Sequence, residues 1–135
     1  MKRSLLAVCL PLLFLQACSK LDSRSRAAEE GFRKDLKAVA EIISFKSVEV
    51  VSRTGAEGKL CLVNFESEVK WLTLDETMRG IPAGSDSRFY FEKVDYLGSN
   101  LASGPPKIGH QELIKGTIVL AETDFGMLYK GLVRR

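Results

Sequence analysis

The sequence predicts an α+β domain: one N-terminal amphipathic helix packed on a curved antiparallel sheet of five or six strands. Three observations predict it. Apolar residues recur at spacings of three and four from Ala28 to Ile43, which lines one face of a helix. From Ser47 onward the period shortens to two, the side-chain repeat of a strand. Stretches bearing glycine and proline separate the alternating runs. A single helix ahead of a run of strands is the layout of a helix laid on an antiparallel sheet.

Before the helix comes a segment of another kind. Met1-Lys2-Arg3-Ser4 places two cations ahead of the uncharged run Leu5 to Leu15. A charged n-region followed by an apolar h-region of this length reads as an export signal. The run is too short to cross a bilayer, which takes roughly 20 apolar residues, and Pro11 in its middle disfavours a spanning helix. It ends in Leu15-Gln16-Ala17-Cys18. This segment resembles the lipobox of bacterial lipoproteins: an aliphatic residue, a tolerant position, a small residue, then cysteine. The resemblance implies a diacylglyceryl thioether on the Cys18 sulfur and cleavage by signal peptidase II between Ala17 and Cys18. An ordinary secretory signal fits less well, because its cleavage site wants a small residue where Leu15 stands. Ser19, in place of aspartate, implies sorting to the outer membrane, with the inner membrane as the alternative.

The expected organisation is therefore a cleaved signal over residues 1–17, a lipid-anchored tether over 18–26 and a single α+β domain over 27–135. The expected location is the bacterial envelope, facing the periplasm, with the membrane as a partner through the lipid on Cys18. Cys9 leaves with the signal and Cys18 carries lipid, so Cys61 has no intramolecular partner for a disulfide. It sits in Leu60-Cys61-Leu62-Val63 and reads as a packed, inert thiol. Lys and Arg number 20 against 17 Asp and Glu, and the signal removes Lys2 and Arg3. The mature domain is nearly neutral, with no clustered basic face, so no nucleic-acid partner is expected.

The elements follow in order. Ala28, Phe32, Leu36, Val39 and Ile43 form the helix stripe, opposite Glu29, Glu30, Arg33 and Lys34. Ser47 to Arg53 is a strand, and Gly55 and Gly58 mark a turn. Lys59 to Phe65 is the most apolar mature run and reads as a central strand buried on both faces. Glu66-Ser67 interrupts it, and Val69 to Leu74 is either its continuation or the next strand. Asp75 to Ser87 reads as a loop, Arg88 to Leu97 as a long aromatic strand, and Gly98 to Gly109 as a second loop. Gln111 to Ala121 is a strand, with Gly116 marking a bend or bulge, and Met127 to Val133 is its hairpin partner. The order of elements resembles the cystatin-like and nuclear-transport-factor-like folds, in which a bent sheet wraps a leading helix.

Sites of chemistry are sparse. His110 stands at the edge of a Pro/Gly loop, and no G-x-S-x-G stretch presents a serine for it to activate. Its expected role is loop surface. The mature chain has one Cys and one His far apart, and Asp75, Glu76 and Asp86 lack the spacing of a calcium loop. No metal and no cofactor is expected. Trp71, Tyr90, Val94 and Tyr96 form the expected ligand or partner surface, the latter three lining the concave face of the sheet. The favoured function is a binding or assembly module for another envelope protein complex. The alternatives are a periplasmic carrier or sensor of a small apolar ligand and, behind it, an envelope hydrolase using His110.

Overall fold

In the computed structural model the described residues are 23–56 and 58–135; the lipobox and the cleavage site lie outside them. Helix α1 covers residues 23–36. Ala28, Phe32 and Leu36, one turn apart, are fully buried, while Arg33 on the opposite side pairs with Glu29 at 3.0 Å. Residues 23–26, placed in the tether by the sequence pattern, are helical here. Arg24 donates to Ser52 Oγ across 3.3 Å, which ties this first turn to the sheet.

The helix is shorter at its other end than its apolar stripe predicts. It stops at residue 36, and strand β1, Ala40–Gly55, follows. The β-branched and aromatic run from Ile42 to Val51 packs better on a pleated surface than on a helix. Val39 stays in the core. Ile43, by contrast, is a bulge residue of β1 and half exposed.

Among the described residues four strands, not five or six, form one open antiparallel sheet in the order β1-β2-β3-β4. These are β1 Ala40–Gly55, β2 Gly58–Trp71, β3 Gln111–Thr123 and β4 Gly126–Val133. Glu66-Ser67 does not interrupt β2. Ser67 is buried and donates to Ser44 O at 2.6 Å, so its hydroxyl is satisfied inside the sheet. Nor does Gly116 make a bulge in the β2–β3 ladder, whose register runs unbroken. A Cβ at Gly116 would stand 3.0 Å from the Phe65 ring. Close approach of that ring is the reason for glycine there.

The expected aromatic strand is a helix, α3, spanning Arg88–Asn100. Tyr90, Leu97 and Leu101 are buried, at spacings of seven and four. That is a helical stripe, and packing against the sheet overrides the strand preference of the aromatic residues. The expected loop ahead of it contains a short helix, α2, over Leu74–Arg79. Thr73 and Glu76 close a reciprocal capping box at its N-terminus.

Helices α1 and α3 lie on one face of the sheet. The core beneath them holds Phe32, Phe65, Trp71, Leu97, Ile114 and Ile118, all at most 2% exposed. Phe32, Phe45 and Phe65 meet with ring centroids 4.7–5.6 Å apart, contacts worth about 0.5–1.5 kcal/mol per pair beyond burial. The even-numbered residues of β2 from Leu62 to Lys70 point to the other face. Leu62 is buried there outside the main core, while Lys115 pairs with Glu66 and Asn64 accepts from Thr117.

Candidate functional site

The fold divides the expected ligand or partner surface. Trp71 is fully buried at the end of β2, and its indole N–H finds no acceptor among the described residues. Tyr90 is 3% exposed and donates its hydroxyl to Leu72 O at 2.9 Å. Val94 is partly buried against the core. All but Trp71 belong to α3 rather than to a sheet strand, so no concave sheet face is lined by Tyr90, Val94 and Tyr96.

Tyr96 leads to a polar cluster that joins α1, α3 and β4. Its hydroxyl accepts the Leu132 N–H at 2.6 Å. Lys93, one turn earlier on α3, stands 5.4 Å from the Tyr96 ring centroid. Lys93 also donates to Asp35 Oδ1 at 2.5 Å. The other oxygen of Asp35 accepts from the Tyr129 hydroxyl at 2.8 Å. One carboxylate on α1 thus ties α3 and β4 together. Its side chain is 15% exposed, so the ion pair is shielded in part from water.

Two glycines make room for the two phenols. A Cβ at Gly31 would fall inside the Tyr129 ring edge, and one at Gly131 would meet the Tyr96 hydroxyl at 2.7 Å. Gly131 also has φ of +123°, which other residues rarely adopt. Burial pushes the Tyr129 hydroxyl far above its ordinary range, with the Asp35 charge adding to the effect. Burial likewise raises Tyr96, partly offset by the hydrogen bond from Leu132. These phenols stay neutral at physiological pH and serve as hydrogen-bonding groups.

An open groove of about 460 Å³ runs along this seam, lined by Ala27, Glu30, Gly31, Lys34, Asp35, Met127 and Tyr129. A second, of about 430 Å³, lies between the end of α1 and α2 and shares Lys34 and Asp35. Asp35, Lys93 and Tyr129 carry no local motif. They are 58 and 94 positions apart from Asp35, and only the fold joins them.

The other sequence candidates lie in loops or in α2. His110 is exposed, and its carbonyl accepts the Trp71 N–H at 3.0 Å. Asp86 binds the backbone N–H and side chain of Arg88. Hydrogen bonds from Thr73 hold the Glu76 carboxyl below its ordinary range. No group of three His, Cys, Asp or Glu among the described residues is arranged to hold a metal ion. Cys61 is 2% exposed, and burial raises its thiol, with Arg24 opposing. No helix among the described residues is long and apolar enough to cross a membrane. The class these features define is a two-layer α+β domain with its described helices on the core face of an open sheet. In comparisons with protein-family models, curated proteins and solved structures, none matches this chain.

Proposed function

We propose that the protein is a bacterial envelope lipoprotein, anchored by lipid on Cys18, whose folded domain is a binding or assembly module for another envelope protein complex. The observation that carries this reading is the lipobox Leu15-Gln16-Ala17-Cys18 immediately ahead of a folded domain. Four residues separate Cys18 from Ser23, the first described residue of α1, and the five Cα steps reach at most about 18 Å. A domain on so short a tether works beside its membrane.

Strand β1 supports a binding role. It is an edge strand of 16 residues, and its two bulges fall at Ile43 and Val48, which are 49% and 57% exposed. Edge strands are where an extended segment of a partner joins a sheet, and bulges guard such edges against indiscriminate pairing. The first test is Cys18→Ser in the full chain. The substituted protein is expected to lose labelled palmitate and to leave the membrane fraction. Unchanged labelling and fractionation would sink the anchor. A photo-crosslinker at Val48 in the anchored protein is expected to trap a defined envelope protein. If one placed at exposed Lys107 traps the same set, the β1 edge is not the binding surface.

A carrier of a small ligand is the second reading, supported by the groove beside Tyr129. Its lining of Glu30, Lys34 and Asp35 suits a polar ligand better than an apolar one. Native mass spectrometry of the anchored protein released in detergent tests it by added mass that Tyr129→Phe removes.

A further inference from the structure

The sheet topology brings three separate parts of the chain to one end of the domain. The β1–β2 turn, between Gly55 and Gly58, lies there. So does the β3–β4 turn, because Leu60 pairs with Ala121 and Thr123 with Gly126. The first turn of α1 joins them: Arg24 reaches Ser52, and Ala27 lines one groove with Met127. The described part of the chain therefore begins at the hairpin end of the domain.

The tip of that end is Phe125, which is fully exposed. Two-residue hairpin turns favour Asn, Asp and Gly, whose backbones suit the turn. An aromatic ring there contributes nothing to the core. The turn is nonetheless held firmly: the Thr123 hydroxyl donates to Gly126 O at 2.7 Å and accepts the Phe125 N–H at 3.3 Å. Leu128, on β4 just behind the tip, is 53% exposed. Arg26, Arg53 and Lys59 are exposed at the same end, against Glu122 and Asp124. Charges of both signs are therefore mixed at this end, and Asp124 adjoins the ring; an exposed aromatic ring on a hydrogen-bonded turn suits the headgroup–acyl boundary, with Arg26, Arg53 and Lys59 free to stay among the headgroups.

We propose that the hairpin end is a second membrane contact, with Phe125 seated in the interface of the bilayer that holds Cys18, so that the domain stands end-on with the β1 edge facing sideways. This rests on the lipid-anchor reading. The anchor supplies the occupant: with Cys18 in the bilayer and at most about 18 Å of chain to Ser23, the hairpin end is the part of the domain held nearest the lipid.

The test uses the full lipidated protein carrying Phe125→Trp, reconstituted in vesicles of phosphatidylethanolamine and phosphatidylglycerol. Flotation first reports whether the protein is anchored. Lipids brominated high on the acyl chain then report on the new indole. Trp71 is buried, and the unsubstituted protein gives its background. The expected result is a blue-shifted emission at position 125 and quenching several-fold greater than for the unsubstituted protein. Anchored protein with a water-exposed, unquenched indole overturns the contact and leaves the anchor standing. Protein that fails to float overturns both. A blue shift that grows with protein concentration in detergent without vesicles assigns the tip to a second copy of the chain, and overturns the proposal. As an independent measurement, amide exchange of residues 122–127 in the unsubstituted protein is expected to slow at least tenfold on reconstitution. Unchanged exchange counts against the contact.

Discussion

Gly31 of α1 lies directly against Tyr129 of β4: a Cβ on Gly31 would stand 2.2 Å from Tyr129 Cδ2 and 2.3 Å from Cγ. The helix can approach β4 closely only because this position has no side chain. That approach brings Asp35, one turn on, within hydrogen-bonding distance of the Tyr129 hydroxyl.

Gly31→Ala should therefore destabilise the domain although alanine is the better helix former. The intrinsic gain is up to about 1 kcal/mol, while forcing a ring base out of place costs about 1–3 kcal/mol. A net loss of about 1–2 kcal/mol in urea unfolding is expected. In a Tyr129→Ala background the same change should be neutral or stabilising, since the obstruction is gone. A loss of equal size in both backgrounds would show that the ring is not its cause.

Asp35→Ala removes the shared acceptor of Lys93 and Tyr129. Leaving a mostly buried hydroxyl and a partly shielded ammonium without it should cost about 2–3 kcal/mol. Lys93→Met should cost less, because the Tyr129 hydroxyl still caps the carboxylate. Thermal or denaturant melts of the two variants check the order, and equal losses would contradict it.

The three tyrosines of the chain, Tyr90, Tyr96 and Tyr129, are all raised by burial. A phenol raised on folding stays protonated in the native state while the unfolded state begins to ionise near pH 10. Its contribution to stability is complete below that pH and is lost as pH climbs above it. Phenolate absorbance should show no step near pH 10 and should appear together with alkaline unfolding. A separate early step with the fold intact would show that one of these phenols reaches water.

Cys61 should behave as a core residue. Its thiol is raised mainly by burial and is 2% exposed. Thiol reagents at neutral pH should label Cys61 in the native protein at least tenfold more slowly than in denaturant. Rapid native labelling would mean that the strand around Cys61 opens readily.

Much of this architecture can be read from local pattern, and the failures have identifiable causes. The alternation from Val63 to Trp71 is masked at Glu66-Ser67, where two polar residues suggest an interruption, although the odd position Ser67 is buried with the other odd residues and its hydroxyl is bonded inside the sheet. The α1 stripe misleads at its end: Val39 and Ile43 continue a helical spacing past Leu36 although the backbone has already turned. For α3 the reverse holds. Phe89, Tyr90 and Phe91 advertise a strand, while Tyr90, Val94, Leu97 and Leu101 carry the helical period that decides. The capping box at Thr73 and Glu76 is a T-x-x-E signature, visible in the sequence and sufficient to start α2. Tyr96 stands out as an aromatic residue and Lys93 precedes it by one helical turn, but Asp35 and Tyr129 come from other elements with no local spacing to reveal them.

The nearest-neighbour strand order has a consequence for how the molecule assembles. Two hairpins, β1–β2 and β3–β4, can each zip up over a short turn, and only the β2–β3 pairing must bridge a long stretch of chain. That seam seats Ile114, Ile118 and Leu120 beside Val63 and Phe65. Until β3, which begins at Gln111, is available to pair, the apolar face of the first hairpin lacks the strand that completes its seam, and exposed surface of that kind is what chaperones shield.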